Sequence, residues 1–157
     1  MARHPKWAQR FLSEPDFDAI ADAIKAAESR TSAEIRVHLE RRVPRRLLRG
    51  RHDALARAQH VFRRLGMHRT AERHGVLIYV AVEERRLAVV GDEGIHGRVG
   101  DLHWNEVRDL MLEILRENGP PRRALERAIE ALGRALAEHY PRRPDDWNEL
   151  SDQVSLA

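Results

Sequence analysis

Seven consecutive apolar residues, Val76–Val82, follow Gly75. A membrane-spanning helix needs about 20 such residues, so this run is too short to be one. A short, continuous, β-branched run bounded by a glycine suits a strand buried on both faces. Such a strand needs helices to cover it, and the rest of the chain supplies them.

Ser13 reads as a helix cap, with Pro15 in the first turn and Asp16 three residues on. Phe17, Ile20, Ile24 and Ala27 follow at helical spacing, and this helix ends near Arg30. Residues 34–40 alternate: Ile35, Val37 and Leu39 point one way, and Glu34, Arg36, His38 and Glu40 the other. That pattern predicts a strand with one covered face. Leu55, Ala58, Phe62 and Leu65 predict a second helix closed by Gly66. Glu83–Arg86 is a polar turn between the central run and a second short one, Leu87–Val90, so the pair predicts a hairpin. Trp104, Val107, Met111 and Ile114 mark a third helix, stopped by Asn118-Gly119-Pro120-Pro121. Leu125, Ile129, Leu132 and Leu136 mark a fourth, ending near Tyr140.

The helix-containing crossover between the first two strands makes them parallel, and the hairpin makes the third antiparallel to the second. The expected architecture is a single-domain α/β sandwich with a small mixed β-sheet flanked by helices. Residues 1–12 read as a loose N-terminal arm, with Trp7, Phe11 and Leu12 able to dock it. Residues 13–140 form the domain. Residues 141–157, rich in proline and acid, read as a surface strap or a frayed end.

The 157 residues hold 28 basic and 25 acidic side chains, a net charge of +3. So small an excess is no strong nucleic-acid signal. There are no cysteines, which excludes a disulfide scaffold, cysteine-ligated zinc and a thiol nucleophile, and fits a cytoplasmic location. Met1–Lys6 has no apolar stretch behind it, so no secretory signal is expected. Phosphate-loop, dinucleotide, zinc-protease and nucleophile-elbow motifs are all absent.

Two segments carry chemistry. The first is Gly91-Asp92-Glu93-Gly94-Ile95-His96-Gly97-Arg98-Val99-Gly100-Asp101, read as a loop that leaves a strand and enters a helix. Its glycines let a backbone approach a ligand, and Asp92, Glu93 and Asp101 supply the hard oxygen ligands that calcium and magnesium prefer. Asp101 equally stands where a helix cap belongs, and Asp92 and Glu93 equally suit a solvated turn. The expected topology brings Asp92 and Glu93 to the same sheet edge as Glu34 and His74. Carboxylates gathered there repel unless a cation or a proton relieves them. His96 and His103 flank the loop; the other seven histidines show no metal-ligand spacing. The second segment is the arginine-rich loop 41–51, where Arg45, Arg46 and their neighbours suit phosphate or an acidic partner, or simply a solvated loop.

Four segments also resemble the TPM domain family, named for a thylakoid lumen protein, a photosystem-II repair protein and a worm receptor modulator. Thr31-Ser32-Ala33-Glu34-Ile35-Arg36-Val37 resembles the family's turn into its first strand. Gly75-Val76-Leu77-Ile78-Tyr79-Val80 resembles its central strand, and Arg85–Gly94 its strand running into a glycine–acidic loop. Asn148-Glu149-Leu150 resembles a tail motif of short bacterial members. The resemblance covers roughly residues 11–150. It implies a compact α/β fold, divalent-cation binding (calcium or magnesium) at the acidic loop, and a weak acid-phosphatase activity. On that reading Asp92, Glu93, Asp101 and Glu34 hold the cation, which polarises a phosphoryl oxygen, and Arg98 neutralises the phosphate. The alternative is a non-catalytic module that docks a protein partner through Arg45 and Arg46, or through the tail with Trp147.

Overall fold

The structure is a computed structural model that describes residues 3–44, 53–67, 74–142 and 153–156. Within them lie α1 (Lys6–Gln9), α2 (Glu14–Glu28), β1 (Glu34–Glu40), α3 (Asp53–Arg64), β2 (Gly75–Ala81), β3 (Arg86–Gly91), α4 (Glu93–Arg116), α5 (Pro121–His139) and β4 (Ser155–Leu156). The four strands form one mixed sheet in the order β3-β2-β1-β4. β1 and β2 are parallel, β2 and β3 antiparallel, as the crossover and hairpin require. The result is an α/β sandwich of helix, sheet and helix layers. No helix among the described residues is long and apolar enough to cross a membrane.

Local chemistry starts and stops the helices. Ser13 caps α2 through a full capping box: its hydroxyl accepts the Asp16 N–H at 3.2 Å, and the Asp16 carboxylate accepts the Ser13 N–H at 3.0 Å. Gly66, with φ +73°, terminates the chain segment after α3 in the left-handed conformation expected there. The larger core lies between one face of the sheet and α2, α4 and α5, with Ile35, Val37, Leu39, Val76, Ile78 and Val80 facing Ile20, Ile24, Met111, Leu125 and Leu132. A smaller core lies on the opposite face, where Leu77, Tyr79, Ala81 and Ala88 meet Ala58, Val61 and Phe62 of α3 and Met67 beyond it.

Three expectations are corrected here. The first strand is covered on both faces, not one: Glu34, His38 and Glu40 are all buried. The reason is α3. Its apolar stripe needs a surface, and the surface available is the sheet's second face. The glycine-spaced segment 91–101 is largely not a loop, because α4 starts at Glu93 and runs through it, broken only where Gly100 adopts φ 80°, ψ 159°. Glycine tolerates that backbone, so one helical stretch ends there and a second begins, the two together making up α4. Residues 6–9 are helical rather than loose, and Ala8 and Leu12 are buried in the larger core. Of the two readings of the tail, the described residues 153–156 fit the strap: Ser155 and Leu156 add a fourth strand, parallel to β1 and paired with His38 and Leu39.

Candidate functional site at the acidic sheet edge

The carboxylates converge through backbone pairing. Glu34 pairs with Gly75 across β1 and β2, and its N–H donates to the His74 carbonyl at 3.0 Å. On the other side of β2, the Asp92 N–H donates to the Gly75 carbonyl at 2.9 Å, one step beyond the Val76–Gly91 pair. Glu34, Gly75 and Asp92 therefore share one rung at the sheet edge. Both acids are buried, at 6% exposure each. The residue between them has no side chain, and a Cβ at Gly75 would stand 3.5 Å from the Met67 Cε and 3.6 Å from the Phe62 Cζ. Both are ordinary van der Waals distances, so the smaller core covers the middle of the rung.

A third buried acid stands at this edge on α2. Glu28 turns its carboxylate to the start of β1, where Oε2 accepts the Ile35 N–H at 2.7 Å. His74 meets the Tyr140 ring at a tilt of 46°, with ring centroids 3.9 Å apart. The Tyr140 carbonyl in turn accepts the Ser32 N–H at 2.9 Å. The end of α5 is thereby fastened beside the turn into β1.

Of the residues read from sequence as cation ligands, Glu34 and Asp92 are brought to one rung. Glu93 opens α4, and Asp101 follows the Gly100 kink. The side chains of Glu93, Arg98, His96 and Asp101 fall outside what the structure describes, and Arg45 and Arg46 lie wholly outside the described residues. Among the described residues no group of three or more histidines and acids is arranged to hold a metal ion. The donors that are described there are mainly oxygens, the kind calcium and magnesium take. Asp92 does not solvate a turn, since it is buried.

α4 is seated on this edge by Trp104 and Gly91. The indole is 4% exposed, and a Cβ on Gly91 would come within 2.6 Å of its Cζ2. His103 meets the Trp104 ring at 5.5 Å between centroids, and burial lowers the His103 pKa.

A second polar cluster lies farther along the same sheet face, under α3. The Arg57 Nη2 donates to Glu40 Oε1 at 2.6 Å and its Nε to Oε2 at 2.9 Å. The Tyr79 hydroxyl donates to Glu40 Oε2 at 2.6 Å. Burial pushes the Glu40 carboxyl up, but the bonds from Arg57 and Tyr79 outweigh it and hold the pKa below its ordinary value. His38 stands two residues before Glu40, is 1% exposed, and has Nδ1 2.9 Å from the Ser155 Oγ. Burial lowers its pKa to about 4; Glu40 opposes that shift, while Arg64, Arg57 and Arg36 reinforce it. The ring is therefore neutral at pH 7. The sequence reading missed this cluster, although the signal was present: a helix with an apolar face and a central strand apolar on both sides together require a second covered face.

The comparisons agree with this architecture. The chain is 38% identical to the BA42 protein of the psychrophilic bacterium Bizionia argentinensis, whose solution structure superposes with a TM-score of 0.80 over 94% of this chain and 96% of that one. The N-terminal domain of a protein from P. gingivalis shares the fold at 16% identity and a TM-score of 0.64, over 83% of this chain and 79% of that one. No curated protein is significantly similar to the chain. Residues 7–135 match the TPM domain, and with that match over most of its length the chain belongs to the TPM domain family.

Proposed function

We propose that this TPM domain binds a divalent cation, calcium or magnesium, at the acidic sheet edge. The observation that supports this is the shared rung: two buried carboxylates, Glu34 and Asp92, flank a glycine at the start of the central strand. Carboxylate oxygens fixed side by side by backbone pairing are the ligand type that calcium and magnesium take. Glu34 and Asp92 would supply the first two oxygen ligands. Glu93 and Asp101, next along α4, are the residues proposed to complete the set. A bound cation there would polarise a phosphoryl oxygen and support slow phosphomonoester hydrolysis, with Arg98 as the proposed phosphate partner.

Calorimetric titration of the purified protein with calcium and with magnesium is the direct test. Saturable heat that is lost in Asp92→Asn and Asp101→Asn supports the site. Heat that is absent, or unchanged in both variants, removes it. Hydrolysis of p-nitrophenyl phosphate with and without the cation then separates an enzyme from a binding domain. A pull-down that survives the carboxylate changes but fails in Arg45→Ala/Arg46→Ala would instead support the protein-docking module.

A further inference from the structure

A cavity of about 350 Å³ opens at the opposite end of β2 from the acidic edge, between α1, the β2–β3 turn and the α4–α5 turn. We propose that it is a binding site for a small phosphomonoester with a flat ring, of the size of a mononucleotide. Its volume lies in the range of about 300–1,000 Å³ typical of small-molecule sites.

Three features of the lining argue for that chemistry. Trp7 and Phe11 both face the cavity from the N-terminal segment and are only partly buried. Flat aromatic faces of this kind stack on planar rings. Arg10 and Arg85 reach the same cavity from separate segments and are exposed. Neither makes an ion pair within the structure described. The carboxylate at the cavity, Glu83, does not cancel them, because Arg41 and Arg42 hold its two oxygens at 2.6 and 2.7 Å. The lining therefore carries uncompensated positive charge in the form of guanidinium groups, which match phosphate oxygens well. Finally, the two non-glycine residues with positive φ among those described, Arg85 at 52° and Asn118 at 60°, both line this one cavity. Asn118 takes this backbone to close α4, with Gly119 N–H donating to the Ile114 carbonyl at 2.8 Å, and Arg85 takes it in the β2–β3 turn, so two fixed turns shape the cavity wall and aim the Arg85 stem.

The site is distinct from the carboxylate rung, and its test does not depend on a cation. Titration of the protein with adenosine 5′-monophosphate, followed by calorimetry and by the indole N–H signals, should give saturable one-to-one binding that shifts the Trp7 signal. Arg10→Gln and Arg85→Gln should each weaken it by about tenfold, the loss expected for one charged hydrogen-bonding partner. Adenosine alone and inorganic phosphate alone should each bind about tenfold or more less tightly than the monophosphate. Arg127→Gln, an exposed cation elsewhere on α5, should leave binding unchanged. All three arginines are exposed, so their loss leaves the fold intact. The proposal is overturned if no saturable binding occurs up to the millimolar range, if both cavity variants bind as the parent does, or if Arg127→Gln weakens binding as much as they do.

Discussion

Arg57 on α3 grips Glu40 on β1 with two nitrogens, at 2.6 and 2.9 Å, and both side chains are buried. The pair ties the smaller core together, since one partner belongs to the covering helix and the other to the sheet. Removing one member strands the other charge in a dry place, which typically costs about 3–5 kcal/mol. Glu40→Ala and Arg57→Ala should each therefore lower stability by about that amount in urea unfolding. Replacing both with methionine should cost much less, because no orphan charge remains. Single variants within experimental error of the parent would show that the pair does not couple helix to sheet.

His38 gives the fold a pH dependence with a definite sign. Its pKa is about 4 in the folded chain against an ordinary 6.5, chiefly because it is buried. The unfolded chain therefore binds a proton at a pH where the folded one does not. The stability this group contributes is present above pH 6.5 and is lost as the pH falls towards 4. The difference corresponds to about 3 kcal/mol at full extent. The charged groups around the ring are Glu40, Arg64, Arg57 and Arg36, so the opposition to protonation comes from three cations as well as from burial. His38→Gln should flatten the stability profile between those pH values by a comparable amount. Glu40, whose pKa is lowered, should add a separate loss of stability at lower pH, as the carboxyl becomes protonated. A His38→Gln profile parallel to that of the parent would show that the ring titrates normally.

The seating of α4 on the acidic edge depends on a missing atom. Gly91→Ala places a methyl within 2.6 Å of the Trp104 ring, closer than real contacts allow. Forced overpacking of this kind costs about 1–3 kcal/mol, and the indole must move to relieve it. The variant should lose that much stability and show a red-shifted tryptophan emission. Normal stability with unchanged emission would mean that the Gly91–Trp104 contact is loose.

Hydropathy patterning made the sandwich legible. The central run Gly75–Ala81 reads directly as a two-sided strand, and Ser13 with Asp16 reads directly as the cap that forms. The acidic edge was legible because strand direction alone brings Glu34 and Asp92 to one rung. What escaped was the fate of alternating polar residues. His38 and Glu40 alternate like a solvent-facing row, yet α3 covers them, and a local pattern does not show which distant helix lands where. The segment 91–101 read as a loop because glycines weaken helix propensity, while packing of Ile95 and Trp104 into the larger core holds it helical. β4 is only two residues long, and its pairing with β1 is a long-range contact without a local signature.

Arg85 offers a direct measure of how much stability the chain gives up at the aromatic cavity. Its φ of 52° sits in the left-handed region, where a non-glycine residue costs on the order of 1–3 kcal/mol. Glycine adopts that backbone without penalty, although it also loosens the unfolded chain and so returns part of the gain. Arg85→Gly should consequently raise stability by roughly 0.5–1 kcal/mol. The same variant should weaken monophosphate binding, because the guanidinium is gone. A gain in stability paired with a loss of binding is the signature of a strained residue kept for its side chain. A fall in stability would show that the turn holds Arg85 without strain, and that the left-handed backbone at the cavity has no bearing on a ligand.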